Sequence, residues 1–261
     1  MTVSFKLLGT GAGPGVPVFY CGCVACQEAL DKPQYARTRS GAVIKAGQET
    51  ILIDASPDLR DQLIRERIES IDCVFLTHWH YDHFGGLGEL EYYVRLKRHE
   101  ALSLYLPPEA VDSFRQAFPF LTDVFELRPW CFGQTYNFSG LKLTPLPASH
   151  SVETAGIYLQ NKKSLAYFTD TADLPIATME KILASDYLVC DATFYGENWF
   201  PHSHMSIKEA VVLGQKVKAQ SIILTHLAMH YSLPVTVAQL EQELSPYANV
   251  SLAFDGMVLN I

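Results

Sequence analysis

Short apolar runs of strand length recur along the whole chain, separated by helical patterns and turn residues, and this alternation is the signature of an α/β architecture. It predicts strands over residues 5–8, 42–45, 50–53, 73–76 and 102–106 in the first half, and over 141–144, 165–169, 187–191, 221–225, 250–253 and 257–260 in the second. Helices fall between them. Ser56 reads as an N-cap with Pro57 at the first helical position, followed by an apolar stripe through Leu59, Leu63 and Ile64. Ser206 starts a second helix, with Glu209 at the capping-box position. Four apolar runs lead straight into polar, ligand-type residues: Thr77-His78, Thr169-Asp170, Asp191 and Thr225-His226. Loops at the carboxyl ends of strands are where α/β sheets gather reactive groups, so these ends are expected to converge on one site.

Composition narrows the class. With 261 residues and 48% hydrophobic content the chain is expected to fold as a single domain over 1–261. It shows no low-complexity tract and no fixed-period repeat. A formal charge of −8 argues against a surface that wraps a polyanion, since neutralising many phosphates takes clustered Lys and Arg. The nearest cluster, Arg95-Leu96-Lys97-Arg98, reads as a solvated helix end, and His99 beside it as a surface residue. A small anionic substrate stays open, because a local metal charge outweighs net charge. The first residues lack the basic flank and apolar core of a secretory signal, and no apolar stretch approaches the roughly 18 to 20 residues that span a membrane. A cytoplasmic protein without a membrane partner is the expectation. Cys21, Cys23 and Cys26 are bunched while Cys73, Cys131 and Cys190 stand singly, a distribution that suits metal binding better than a disulfide framework.

The chemistry concentrates after the fourth predicted strand. His78, His80, Asp82 and His83 share a six-residue window closed by Gly85-Gly86, which permits a tight turn. Imidazole nitrogen and carboxylate oxygen are good donors for Zn²⁺, Mn²⁺ or Fe²⁺. In an extended stretch His78 and His80 point the same way and can grip one cation, while Asp82 and His83, past the bend, reach a second. The bland alternative is a histidine-rich surface loop or core histidines satisfied by backbone. Histidine is only 9 of the 261 residues, so three in one window with an Asp argue against it.

A His-x-His-x-Asp-His motif after an apolar strand resembles the signature of the metallo-β-lactamase superfamily. The resemblance extends in order through His150, Asp170 and His226. It implies an αββα sandwich of two mixed sheets with helices outside, and two divalent cations (Mn²⁺ or Zn²⁺): one on His78, His80 and His150, the other on Asp82, His83 and His226, with Asp170 between. Taken alone, His150 and His226 could be structural imidazoles and Asp170 a helix cap. Asp54 sits where the family has an acidic residue beneath the metal loop, in a position to orient ligating histidines; a plain strand-end turn is its other reading.

Such a centre would keep about one net positive charge once Asp82, Asp170 and a bridging hydroxide are counted, which favours an anionic ester such as a phosphodiester. An alkoxide leaving group needs a proton. His204, just before the Ser206 helix, resembles the catalytic histidine of phosphodiesterase branches of the superfamily, with an exposed loop histidine as the alternative; His202 reads as exposed. The order Gly9-Thr-Gly, Cys21-x-Cys23-x-x-Cys26, the histidine motif and Phe254-Asp255-Gly256-Met257 resembles the PhnP branch, phosphoribosyl 1,2-cyclic phosphate phosphodiesterases. That branch implies a structural Zn²⁺ in a knuckle near 21–26, held by the three cysteines and a histidine, for which His230 is the candidate; unligated thiols are the alternative. His230 follows His226 by four positions, one more than in that family. A homodimer is implied by the same analogy. The competing readings are a lactone or thioester hydrolase, a nucleotide phosphodiesterase, a ribonuclease Z-like enzyme and a non-hydrolytic metal-binding protein. Only positions 151–169 separate His150 from Asp170, too few for the RNA-binding arm that ribonuclease Z inserts there, so no large nucleic acid is expected.

Overall fold

The computed structural model describes residues 3–261. In chain order the strands are β1 (Val3–Gly9), β2 (Gly41–Ala46), β3 (Glu49–Ile53), β4 (Cys73–Phe75), β5 (Leu102–Leu106), β6 (Phe125–Pro129), β7 (Tyr136–Phe138), β8 (Leu141–Pro147), β9 (Ala155–Gln160), β10 (Ser164–Phe168), β11 (Tyr187–Asp191), β12 (Ser221–Thr225), β13 (Val250–Leu252) and β14 (Val258–Asn260). The helices are α1 (Val24–Asp31), α2 (Leu59–Arg65), α3 (Tyr81–Phe84), α4 (Glu91–Tyr93), α5 (Ala110–Ala117), α6 (Ile176–Lys181), α7 (Ile207–Lys216) and α8 (Val237–Leu244). The strands form two seven-stranded sheets, ordered β14-β1-β2-β3-β4-β5-β6 and β13-β12-β11-β10-β9-β8-β7. Each is mixed. Strands β3 to β6 run parallel in the first, and β10 to β13 in the second.

Three apolar clusters account for the layers. Between the sheets lie Phe5, Ile51, Ile53, Phe75, Tyr167, Val189 and Ile223, with the rings of Phe5 and Tyr167 meeting edge to face at 5.1 Å across the gap. The opposite faces of the same strands carry Leu52, Val74 and Leu104 against Leu59 of α2 and Phe114 of α5. On the second sheet Leu188, Cys190 and Leu224 pack against Ala210 and Leu213 of α7 and Leu240 of α8. Residues that alternate along one strand thus enter different cores, both dry. That is why the central strands read as unbroken apolar runs and not as apolar–polar alternation. The expected αββα sandwich is the observed fold.

Three strands escape the pattern. Edge strand β6 carries exposed Glu126 and Arg128 and ends in a proline, β7 has only three residues, and β9 contains Gly156. The helix expected from Ser56 is also corrected: α2 starts at Leu59 with Asp58 at its cap position, and no side chain caps it. Ser56 is buried and accepts a bond from Asp58 N at 3.3 Å in the preceding turn, while the Asp58 carboxylate is taken by Arg39, at 2.8 Å from its amide and 2.7 Å from its guanidinium. Helix α7 is capped as expected, with Ser206 and Glu209 exchanging both capping-box bonds. The basic stretch 95–98 closes an exposed helical turn that ends at His99 in a left-handed conformation.

Gly9 ends β1 where a Cβ would fall 2.0 Å from the Arg39 carbonyl. The Gly-Thr-Gly loop that follows is tied to the closing motif: the Asp255 carboxylate accepts from Thr10 Oγ1 at 2.8 Å and from Thr38 Oγ1 at 2.6 Å. Two segments far apart in the sequence are thus one hydrogen-bonded corner.

Candidate metal centre

The four ligand-bearing strand ends do converge. β4 delivers His78 and its loop, β10 delivers Asp170, β11 ends at Asp191 and β12 leads into His226. The end of β4 is anchored by Trp130, whose indole N–H donates to the Leu76 carbonyl at 2.9 Å. After it the chain stays extended at His80 and turns into α3, so that His83 N bonds back to the His80 carbonyl at 2.9 Å. The glycines that follow work by close approach: a Cβ on Gly86 would lie 2.0 Å from the Ser56 carbonyl. Asp54 and His226 both adopt left-handed backbone angles, φ 61° and 56°, which cost energy in non-glycine residues and occur where the surroundings over-determine the conformation.

Two donor triads result. His78 Nε2 and His150 Nε2 each lie 3.1 Å from His80 Nδ1. Asp82 Oδ2 is 3.5 Å from His83 Nε2 and 3.7 Å from His226 Nε2. Asp170 stands between them: its Oδ2 is 3.1 Å from His83 Nε2, and its Oδ1 is 3.3 Å from His226 Nε2, 3.9 Å from His78 Nε2 and 4.0 Å from His150 Nε2. Donors on a tetrahedral cation with bonds of about 2.0–2.1 Å are spaced by roughly 3.3 Å. The spacings match. Within this set His226 Nε2 is buried without a hydrogen-bond partner, and His83 Nε2 and Asp170 Oδ2, though 3.1 Å apart, make no hydrogen bond of good geometry, a pattern that a bound cation accounts for. The residues present therefore fit divalent cations.

Their electrostatics agree with this. Burial holds the imidazoles of His78, His80 and His150 below the ordinary range, leaving them neutral and able to donate a lone pair. Burial alone would raise the carboxyls of Asp82 and Asp170, but the charge of His83 and contacts with His226 outweigh it and keep both ionised. Burial likewise opposes charge on His83, yet Asp170, Asp82 and Asp54 together hold it protonated in the metal-free cluster. A cation bound beside Asp82 through His83 Nε2 would take the place of that proton.

Asp54 lies beneath the loop as expected. Its Oδ2 is 2.8 Å from His83 Nδ1, and it accepts from Thr77 N at 2.8 Å, so the ring is fixed with Nε2 toward the cluster. His204 comes to the same centre, its ring 5.1 Å from those of both His150 and His226. Its partner Asp191 was legible only as a strand end: Asp191 Oδ2 lies 2.8 Å from His204 Nδ1. Burial lowers the His204 pKa, but the charge and hydrogen bond of Asp191 raise it to about 9. Thr193 had no sequence signal at all, yet its hydroxyl lies 2.7 Å from Asp191 Oδ1 and 2.9 Å from His226 Nδ1. His202 and His99 are exposed and away from the cluster's contacts.

The thiols of Cys21, Cys23 and Cys26 gather within 4.8 Å of one another, and His230 is not part of that group. Its Nδ1 is buried without a partner. Hydrogen bonding to Cys23 lowers the Cys21 thiol, whereas burial pushes Cys26 up to about 12.

A family model described as "Beta-lactamase superfamily domain" matches residues 49–227, which takes in every donor of the centre. The chain belongs to the β-lactamase superfamily. Its β-lactamase fold is shared with a diphosphatase of the PhnP family, at 28% identity and a TM-score of 0.88 over 100% of this chain and 98% of the other. Zn²⁺-bound PqqB from Methylobacterium extorquens aligns with a TM-score of 0.80 at 21% identity over 99% and 100% of the two chains, a likeness of fold. By sequence, an octanoyltransferase of Porphyromonas gingivalis is 29% identical over 87% of this chain, which spans only 46% of that relative's length. Among the described residues no helix is long and apolar enough to cross a membrane.

Proposed function

We propose that the chain is a metal-dependent phosphodiesterase acting on a small anionic ester, with a cyclic ribose phosphate such as 5-phosphoribosyl 1,2-cyclic phosphate as the model substrate. The carrying observation is the His204–Asp191 pair set against the two donor triads. Divalent cations held by His78, His80, His150, Asp82, His83, His226 and Asp170 supply Lewis acidity and a hydroxide nucleophile near neutral pH. The protein's own residues do the rest. Asp191 occupies Nδ1 of His204, which leaves Nε2 to carry the proton that an alkoxide leaving group requires. Asp170, buried between the triads, keeps both sites negative enough to retain cations while the five neutral-ligand histidines add no charge. Segment 151–169 is little more than the β9–β10 hairpin, which supports a small substrate over a structured RNA. The PhnP-family neighbour, a diphosphatase, supports a second reading, cleavage of a phosphoanhydride. A phosphate leaving group needs less protonation than an alkoxide, so a built proton donor favours the ester.

The cysteine triad completes the proposal. Three sulfurs at ligand spacing fit a structural Zn²⁺, and the unpartnered Nδ1 of His230 makes that residue the candidate fourth ligand. Purified protein supplied with Mn²⁺ is expected to cleave bis(p-nitrophenyl) phosphate and ribose 1,2-cyclic phosphate, and to lose both activities to a chelator. A metal-loaded preparation active on lactones or thioesters but inert to phosphodiesters sinks the proposal.

A further inference from the structure

One hydroxyl touches both the proton donor's partner and a ligand of the centre. Thr193, 4% exposed, lies two residues beyond Asp191 on the turn that leaves β11. Its Oγ1 is 2.7 Å from Asp191 Oδ1, 2.9 Å from His226 Nδ1 and 3.3 Å from His204 Nδ1. The backbone holds it there. Ala192 N donates to the Thr225 carbonyl at 3.0 Å and Ala228 N to the Thr193 carbonyl at 3.1 Å, so this turn is tied to the chain on either side of His226. Between those two bonds His226 keeps its left-handed φ of 56°.

The proton count fixes the direction of each bond. A threonine hydroxyl has one proton and two lone pairs, and a carboxylate oxygen accepts. Asp191 Oδ1 also takes the backbone N–H of Thr193 at 2.9 Å and of Met205 at 3.3 Å, so the Thr193 proton points at an oxygen already surrounded by donors. Oγ1 then meets His226 with a lone pair, and Nδ1 of His226 is the donor. The other nitrogen of that ring is left bare. It is Nε2, buried without a hydrogen-bond partner, 3.3 Å from Asp170 Oδ1 and 3.7 Å from Asp82 Oδ2. A ring held by its Nδ1–H with a free lone pair on Nε2 is the tautomer that ligates a cation. The second oxygen of Asp191, Oδ2, takes the His204 ring at 2.8 Å. One carboxylate thus serves both sides, reaching the proton donor directly and the ligand through a hydroxyl.

We propose that Thr193 is a positioning residue for the cation centre, passing the hold of Asp191 on to His226 so that Nε2 faces Asp82 and His83. The two rings beside Asp82 are then each set by a buried carboxylate, His83 by Asp54 directly and His226 by Asp191 through Thr193. This rests on the cation centre of the reading above and not on the ester that centre cleaves.

Thr193→Val keeps the shape of the side chain and removes the hydroxyl, and Thr193→Ser keeps the hydroxyl. Metal-depleted protein titrated with Mn²⁺ and followed by calorimetry is expected to show one site weakened about 10- to 100-fold in Thr193→Val, with near wild-type binding in Thr193→Ser. Thr193→Ala gives the same loss if the valine methyls disturb folding. Adding Asp54→Ala to Thr193→Val should weaken that site further and leave the other at its wild-type affinity. On bis(p-nitrophenyl) phosphate the Mn²⁺ concentration for half-maximal rate should rise by the same factor in Thr193→Val, while the rate at saturating Mn²⁺ changes far less. Wild-type Mn²⁺ affinity in Thr193→Val overturns the proposal. So do two sites weakened alike, or a loss that serine does not restore, since both mark a packing defect. If the wild-type protein binds Mn²⁺ but cleaves no phosphodiester, the substrate reading falls and the titration still decides the role of Thr193.

Discussion

Nδ1 of His204 is 2.8 Å from Oδ2 of Asp191, and the same carboxylate takes bonds from Thr193 Oγ1 at 2.7 Å and Thr171 N at 3.1 Å. A buried carboxylate fixed on three sides can hold an imidazole in only one orientation. Asp191 thus makes the last residue of β11 a positioning residue for the proton donor, which the next loop brings back over it.

Asp191→Asn is expected to cost about 100-fold in kcat on 2′,3′-cyclic AMP, whose leaving group is an alkoxide. The loss on bis(p-nitrophenyl) phosphate should be far smaller, because p-nitrophenolate departs without a proton. Metal content, read by elemental analysis, should stay at the wild-type level. Equal losses on both substrates would show a general structural defect and refute proton donation through His204.

Asp54→Ala removes the acceptor that orients His83. Outer partners of metal-binding histidines typically change affinity by about 10- to 100-fold, so the Mn²⁺ titration should show one site weakened by that factor and the other nearly unchanged. Two sites weakened alike would argue against separate triads.

Cys23→Ser should release one tightly held Zn²⁺ per chain while leaving the exchangeable active-centre metal in place. Zinc content unchanged after dialysis would refute the knuckle. His230→Ala tests the fourth ligand in the same assay, and full zinc retention there would assign that ligand elsewhere.

The Lys6–Glu66 bridge, 2.9 Å long, ties β1 to the end of α2. Burial opposes ionisation of Glu66, but hydrogen bonds from Lys6 and Arg65 outweigh it and hold the carboxyl below its ordinary value. A depressed carboxyl contributes stability above its unfolded pKa of 4.5 and loses it as pH falls through the folded value. In chelator, Glu66→Gln should destabilise the fold by about 1 kcal/mol at neutral pH in urea unfolding. The difference should shrink progressively as pH falls below 4.5; a difference that stays constant down the acid limb would show that charge is not its source.

The sequence by itself determined an α/β architecture, because runs apolar on both strand faces need sheets covered on both sides, and the family resemblance of its histidine motif narrowed that to the αββα sandwich. It also named the donors. His78 to His83 share one short window, and the resemblance extends that set to His150, Asp170 and His226, of which Asp170 and His226 also follow strands that pair in parallel with β11. Tertiary structure decided what spacing along a chain cannot: which donor atoms lie together, since His150 lies far from His78 in sequence but its Nε2 is 3.1 Å from His80 Nδ1. It also supplied Asp191 and Thr193 as partners of His204, and showed Asp58 turned from helix capping to Arg39. These are side-chain choices among several hydrogen-bonding options, settled only when burial removes water as an alternative partner.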